Sequence, residues 1–216
     1  MLRGLGFRGG WESSRWLFPD YKLEAQMKVP TIQELRQLIS VVPPRAAFGV
    51  RDRVIMVLLA NTGLRVSELA GLDVGHVVAG GQVREFFDVP KEFAKGAHSR
   101  TLPLNANAQK AIRAVLAFNQ QRGFSTELSA PLLQDRQHRR MPVRSIQAMI
   151  QKYREIAGVS DLITPHKFRH FFATTALAKC NNPRTVQVLL GHWRLATVEI
   201  YTHHNPVDLQ AAVGAG

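Results

Sequence analysis

Cysteine is almost absent from this chain of 216 residues, which contains Cys180 alone. One cysteine cannot form an internal disulfide or supply a cysteine-based zinc site, so a disulfide-stabilised secreted fold is excluded. No apolar run reaches the roughly 20 residues that a membrane-spanning helix needs. The first residues, MLRGLGFRGGWESSRW, carry positive charge but lack the apolar core of a signal peptide. These features predict a cytoplasmic protein without a membrane partner.

Acidic residues are also scarce, because 16 Asp and Glu stand against 28 Lys and Arg, a formal net charge of +12. The isoelectric point is near 10.7. This surplus favours a polyanionic partner, most often nucleic acid, and would place the protein at the nucleoid. A ribosome-associated or simply basic protein is the alternative on charge alone. No cluster of Asp and Glu indicates a two-metal nuclease, so chemistry on phosphate is expected to use no metal and no cofactor.

Two regions differ in character. Residues 1–28 contain four glycines and two of the three tryptophans without a helical apolar period, which predicts a tail or linker. Residues 29–216 are predicted to form one α+β domain, mainly helical with a small antiparallel β-sheet. The sheet is expected within residues 82–104, around a Lys-Gly turn.

Local signals predict where several helices begin and end. Thr31 and Glu34 form a capping-box pattern that starts the first helix. A second helix is expected from 46 to 60, and Gly63 is placed to end it in the left-handed conformation. From Val143 onward the pattern is helical again, with breaks at glycine and at Asn-Asn-Pro.

The segment TPHKFRH predicts a helix start that carries cations. Thr164 is a good N-cap and Pro165 suits the first helical position. His166, Arg169 and His170 then share one face of the first two turns. Cations at a helix N-terminus oppose the dipole unless an anion binds there, which points to a phosphate pocket. The alternatives are a capped helix with surface charges, or less favourably a metal site, which would lack a third ligand and the zincin glutamate.

Two further segments carry candidate phosphate ligands. In TGLRVSEL, Arg65 follows a helix end marked by Gly63, and its guanidinium could hold a phosphate with two parallel bonds. Glu68, three residues later, could orient it, although an ordinary surface Arg–Glu pair is favoured from this motif alone. Lys95 and Gly96 lie in the predicted strand turn, from which a lysine can reach into a groove or a site. From this motif alone, a solvated turn lysine without a functional role is favoured.

Tyrosine is scarce as well, with three in the chain. Tyr153 falls within an apolar helical pattern and is predicted to be core, and Tyr21 lies in the unpatterned tail. Tyr201 follows His192, which stands at a corner after a predicted helix end at Gly191. Two arginines and two histidines around one tyrosine suit attack on a phosphodiester, because fixed donors stabilise the developing charge. An interface tyrosine with a satisfied hydroxyl is the alternative.

Four segments together resemble the tyrosine recombinase, or phage integrase, family: TGLRVSEL, AKGAHSRTLPL, TPHKFRHFFAT and LLGHWRLATVEIYTH. They occur in the family's order and spacing, and the resemblance runs from about Thr31 to Val207. It implies a catalytic domain that cleaves and rejoins double-stranded DNA through a 3′-phosphotyrosyl bond. Because that bond conserves energy, strand exchange and ligation would need no ATP.

The resemblance implies a role for each matched residue. Arg65 and Arg169 would hold the scissile phosphate, and Glu68 would support the arginines without contacting the phosphate. Lys95, in the β-hairpin, would protonate the leaving 5′ oxygen.

The remaining roles fall on the two later segments. His166 would assist proton transfer at the nucleophile, with His170 behind it. His192 would hydrogen-bond the phosphate, and Tyr201 would form the covalent bond.

Family members usually carry an N-terminal core-binding domain that closes around DNA, and the roughly 30 residues ahead of the matched region are too few to form it. The family assembles as a tetramer on DNA, often through the segment after the tyrosine. Here that segment is short and ends VDLQAAVGAG. The resemblance implies self-association on DNA.

Three other functions stay open from sequence. Pro183 to His203 is compatible with a helix-turn-helix in a non-catalytic DNA-binding module, with Gly191 in the turn. A type IB-like topoisomerase would share the active-site chemistry. A metallohydrolase is the least favoured.

Overall fold

The structure, a computed structural model, describes residues 29–43, 45–93, 99–160, 163–191 and Val213. The predicted tail at 1–28 lies outside the described residues. So do the Lys95 turn and the segments that contain His192 and Tyr201.

Helices make up most of the described chain. They are α1 (Ile32–Ser40), α2 (Gly49–Thr62), α3 (Val66–Gly71), α4 (Val74–Val77), α5 (Ala106–Gln121), α6 (Val143–Ala157), α7 (Pro165–Cys180) and α8 (Pro183–Leu190). Within the described ranges, none of them has both the length and the apolar character needed to cross a membrane.

The strands pair in two antiparallel ribbons. They are β1 (Val78–Ala79), β2 (Gln82–Val83), β3 (Phe86–Val89) and β4 (Arg100–Pro103), with a short 3-10 turn at Lys91–Phe93. β1 pairs with β2, and β3 pairs with β4 so that Phe87 faces Leu102. The predicted α+β class is therefore confirmed, with two ribbons in place of one small sheet.

Residues recognised in the sequence set the ends of several helices. Thr31 Oγ1 accepts the Glu34 N–H at 3.1 Å, and the Glu34 carboxylate accepts the Thr31 N–H at 2.8 Å. This is the predicted reciprocal cap. Gly63, Gly158 and Gly191 end α2, α6 and α8 with φ of 60°, 61° and 62°, a conformation that favours glycine.

The start of α2 was predicted three residues too early. The preceding residues form hydrogen-bonded turns instead, because Ala46 N–H donates to Pro43 O at 3.2 Å and Gly49 N–H donates to Ala46 O at 2.9 Å. The helix then extends two residues past the predicted end, to Thr62.

Helix α2 is the centre of the domain. It packs against α5 on one side and α7 on another, and also contacts α3 and α6. Its apolar residues are accordingly buried on more than one face: Val54, Ile55, Met56, Leu58 and Leu59. Its C-terminal end is therefore held by the core, and so is the loop that follows.

The ends of α2 and α7 meet closely. A Cβ atom added to Gly63 would lie 2.3 Å from Cδ1 of Phe172, far inside van der Waals contact. Phe172 and Phe168 are both buried on α7. Gly63 is thus needed for its backbone conformation and for the approach of α7, which brings the first turns of α7 beside the α2–α3 loop.

Tyr153 is a core residue, as predicted. Its hydroxyl donates to Asp52 Oδ2 at 3.0 Å, and Asp52 Oδ1 accepts from Arg51 Nε and Nη2 at 3.1 and 2.9 Å. Burial, and then the charge and hydrogen bond of Asp52, raise the pKa of Tyr153 to about 12. A phenol held in this way stabilises the packing of α6 on α2 and is poorly suited to act as a nucleophile.

Val213 packs back onto the domain. Its side chain is buried, and its carbonyl oxygen accepts from Asn105 Nδ2 and Lys179 Nζ, each at 3.3 Å. Asn105 is the N-cap of α5 and Lys179 lies in the last turn of α7. These hydrogen bonds connect Val213 to both helices.

Candidate active site

Four segments that are far apart in the sequence converge around one carboxylate: the α2–α3 loop with α3, β4, α7 and the end of α8. The α2–α3 loop contributes Arg65, α3 contributes Glu68, β4 contributes Arg100 and α7 contributes Arg169. The end of α8 adds backbone carbonyls. Arg65, Glu68 and Arg169, singled out separately in the sequence, therefore lie in one cluster.

Glu68 is at the centre of this cluster and has no exposed surface. Its Oε1 accepts from Nη1 of Arg65 at 2.7 Å and from Nη1 of Arg100 at 2.9 Å. Its Oε2 accepts from the Arg65 backbone N–H and from Nη2 of Arg100, each at 2.7 Å. The surface Arg–Glu pair that the TGLRVSEL motif alone favoured does not describe this site, because the carboxylate is fully enclosed.

The pKa of Glu68 reflects this environment. Burial alone would raise it, but the hydrogen bonds and charge of Arg100, followed by the hydrogen bonds from Arg65, lower it to about 2. The carboxylate is therefore ionised throughout the physiological range.

Arg100 was not assigned a role from the sequence. It is 8% exposed, and its Nε donates to the Leu189 carbonyl at 2.8 Å while its two terminal nitrogens bind Glu68. The available signal was strand alternation: in RTLP, Arg100 falls on the same side of β4 as buried Leu102. An arginine in that position needs a buried acceptor.

Arg169 is held by the ends of two helices. It is 4% exposed, and its Nη1 donates to the Gly63 carbonyl at 2.7 Å while its Nη2 donates to the Leu190 carbonyl. Its Nη1 lies 3.9 Å from Oε2 of Glu68. Burial, and then the charges of Arg65 and Arg100, lower its pKa to about 9, so the guanidinium stays charged at neutral pH. The alternative of a helix start with surface charges does not fit a side chain so deeply enclosed.

Charge in the described cluster is not balanced. Three guanidinium groups surround one carboxylate, which leaves a formal charge of +2. Arg65 is the most accessible of the three, with its side chain 25% exposed. A buried cationic cluster with one open side is suited to bind an anion such as a phosphate group.

His166 and His170 lie on the same face of α7, as predicted. Their rings meet edge to face with centroids 4.4 Å apart. Nε2 of His170 is buried and has no hydrogen-bond partner among the described residues. Burial, and then the positive charges of His166, Lys167 and Arg169, lower the pKa of His170. His170 is therefore a neutral neighbour of His166 at neutral pH.

The start of α7 differs from the prediction in one detail. Thr164 is the N-cap residue and Pro165 lies in the first turn, but the Thr164 side chain makes no capping hydrogen bond. The helix start therefore depends on the proline and on packing of the α7 apolar face.

Fold and site together define an α+β domain with a buried cluster of arginines around one carboxylate. A model of the phage integrase family matches residues 28–207. The chain therefore belongs to the phage integrase family, and its described domain is a tyrosine recombinase catalytic domain.

Individual proteins agree with this assignment. Tyrosine recombinase XerC of Actinobacillus pleuropneumoniae is 41% identical over 154 residues, which cover 71% of this chain and 47% of that protein. The crystal structure of XerA recombinase matches with 27% identity and a TM-score of 0.62, over 87% of this chain and 65% of that one. The site-specific recombinase XerH, solved as a post-cleavage complex with a palindromic difH substrate, shares the fold at 20% identity, with a TM-score of 0.60 over 77% of this chain and 47% of that one.

The chain spans about half the length of the curated relatives that it matches, with 47%, 57% and 51% of their lengths covered.

Proposed function

We propose that this chain cleaves and rejoins DNA strands through a covalent phosphotyrosyl bond, as the catalytic domain of a site-specific recombinase or integrase. One observation supports this most strongly: two arginines from separate family motifs lie beside a single buried carboxylate, Arg65 in a hydrogen bond at 2.7 Å and Arg169 at 3.9 Å. XerH, which has the same fold, is a recombinase solved after cleavage of its substrate.

The pocket would act by stabilising charge. Arg65 and Arg169 would bind the non-bridging oxygens of the scissile phosphate, where negative charge accumulates as the phosphorus becomes five-coordinate. Because these guanidinium groups are fixed by Glu68 and by helix carbonyls, they need little reorganisation during the reaction. Donors of this kind contribute about 3 kcal/mol each to transition-state stabilisation.

The covalent step would use residues that lie outside the described ranges. The Tyr201 oxygen would attack the phosphorus, the bond to the 5′ oxygen would break, and Lys95 would give that oxygen a proton. His192 would hydrogen-bond the phosphate. The 5′ hydroxyl could later attack the phosphotyrosyl bond, reversing the step without ATP.

His166 would assist removal of the proton from the Tyr201 hydroxyl. That hydroxyl ordinarily has a pKa near 10, so it needs a base or a cationic field to become a nucleophile. A neutral His170 against the His166 ring adds no competing positive charge.

Double-stranded DNA would be the partner, consistent with the net charge of +12, and the chain would work at the nucleoid. Residues 29–216 would form the catalytic domain, and residues 1–28 a tail or linker leading into it. Strand exchange would need several copies on DNA, as the family's tetramer implies.

The test is covalent capture. The substrate is a pool of nicked duplexes with randomised flanks. After cleavage a short fragment diffuses away, so the covalent protein–DNA complex cannot religate and should appear as a band on a denaturing gel. The band should disappear in Tyr201→Phe. Tyr153→Phe is the matched control: it removes a buried hydroxyl bonded to Asp52 and should keep the band. A band that persists in Tyr201→Phe contradicts the assignment.

The same assay separates the other functions. DNA binding without any covalent band would favour the non-catalytic module. Relaxation of supercoiled plasmid without sequence preference would favour a type IB-like topoisomerase. Loss of activity in EDTA would favour a metallohydrolase.

A further inference from the structure

Arg100 lies under the end of α8. Its Nε donates to the Leu189 carbonyl at 2.8 Å, and its side chain packs beneath Gly191, where an added Cβ would lie 3.0 Å from Arg100 Cδ. Gly191 also has a φ of 62°. The last turn of α8 is therefore built directly onto this side chain of β4.

The hydrogen-bonding capacity of Glu68 is filled without Arg169. A carboxylate accepts about four hydrogen bonds. Arg65 supplies two of them and Arg100 supplies two. Arg169 Nη1, at 3.9 Å from Oε2, is too far for a hydrogen bond and donates to the Gly63 carbonyl instead.

Removing Arg100 would change the hydrogen bonding of Glu68. Two acceptor positions on a fully buried carboxylate would become empty, beside a guanidinium 3.9 Å away. Arg65 would still supply two hydrogen bonds. Unfilled acceptor positions on a buried charge are unfavourable, so Glu68 would be drawn towards Arg169. The single carboxylate would then offset half of the positive charge of Arg65 and Arg169 and compete with a bound phosphate for their donors.

We propose that Arg100 is a positioning residue that occupies Glu68 and thereby keeps Arg65 and Arg169 available for the phosphate. This role rests on the proposed function and deepens it. Arg100 would not touch the reacting atoms, since its guanidinium is committed to Glu68 and to the Leu189 carbonyl.

The experiment measures the rate of covalent adduct formation and, separately, DNA affinity. Arg100→Met should slow adduct formation about 10²-fold, the loss expected when transition-state donors are misplaced. Its DNA affinity should change less than about 5-fold, because surface phosphate contacts dominate binding. Arg100→Lys keeps one charge but cannot bind both oxygens in parallel, so an intermediate loss of about 10-fold is expected.

A double variant separates positioning from simple structural support. If the released carboxylate causes the defect, Arg100→Met combined with Glu68→Gln should form adduct about 10-fold faster than Arg100→Met alone. If Arg100 only supports the structure, the loss of cleavage rate caused by Glu68→Gln should add to the loss caused by Arg100→Met.

Arg51→Met is the matched control. Arg51 is also 8% exposed and also binds one carboxylate, that of Asp52, and one carbonyl, that of Gln134. It lies near the N-terminal end of α2, whereas the arginine cluster lies at the C-terminal end of that helix. This variant should lose comparable thermal stability and still cleave at the unchanged rate.

The outcomes are distinct. Absence of adduct with the unchanged protein overturns the proposed function, and this inference with it. Normal cleavage by Arg100→Met, or a double variant as slow as the single one, overturns the inference alone. If Arg100→Met does not fold, Arg100→Lys with and without Glu68→Gln gives the same comparison.

Discussion

Replacing Glu68 by glutamine should destabilise the protein by an amount that depends on pH. The change removes a buried negative charge and turns one hydrogen-bond acceptor into a donor that faces a guanidinium. Breaking a buried ion pair from one side costs about 3–5 kcal/mol. The pKa gives a similar figure, because a fall from 4.5 to about 2 corresponds to about 3 kcal/mol in favour of the folded, ionised state.

The sign of the pH dependence follows from that pKa. Because the folded value lies below the unfolded one, the unfolded chain binds the proton more readily between pH 4.5 and about 2. The stabilisation is complete above pH 4.5 and is lost as the pH falls through that window. At pH 3, about 2 kcal/mol of it should be gone.

Urea denaturation at pH 7 and pH 3 measures this directly. Circular dichroism is a suitable signal, since helices make up most of the described chain. The free energy of unfolding of the unchanged protein should exceed that of Glu68→Gln by about 3 kcal/mol at pH 7 and by about 1 kcal/mol at pH 3. Glu155→Gln, at an exposed carboxylate, is the control and should differ little at either pH. A gap for Glu68→Gln that is the same at both pH values would refute the reasoning.

Other variants and conditions test the packing and the pocket. Gly63→Ala should lose about 3 kcal/mol of folding free energy, since alanine would be strained at φ 60° and would clash with Phe172; an unchanged melting temperature would contradict this. Arg65→Ala and Arg169→Ala should each slow adduct formation about 10²-fold or more with much less effect on DNA affinity, and normal cleavage by both would show that the pocket is misassigned. DNA affinity should fall steeply with salt concentration, and a flat response would count against a basic DNA-facing surface.

Local features of the fold could be predicted from the sequence because their causes are local. The cap at Thr31 and the helix ends at Gly63 and Gly191 depend on a few neighbouring residues. The start of α2 could not be predicted in this way. It is set by turns between Pro43 and Gly49, where the apolar pattern gives no signal.

Three residues of the described cluster, Arg65, Glu68 and Arg169, could be singled out from the sequence, whereas Arg100 and the organisation of the cluster could not. The spacing of Arg65 and Glu68 predicts a contact between neighbours, and the structure has it at 2.7 Å. Complete burial of Glu68 depends on Arg100, which is 32 residues away and arrives on a strand. The alternation in β4 indicates that Arg100 is buried, but the local pattern does not say which carboxylate it contacts. The catalytic roles of all six residues remain predictions: Arg65, Lys95, His166, Arg169, His192 and Tyr201.

The hydrogen bonds between Arg169 and the ends of two helices have a consequence for substrate binding. Ordering a free arginine side chain costs about 2 kcal/mol of conformational entropy. Here the carbonyls of Gly63 and Leu190 have already confined the guanidinium before any ligand arrives. A phosphate would therefore bind a guanidinium that is already ordered. Less of the binding energy would be lost in ordering Arg169, and more of it could stabilise the transition state.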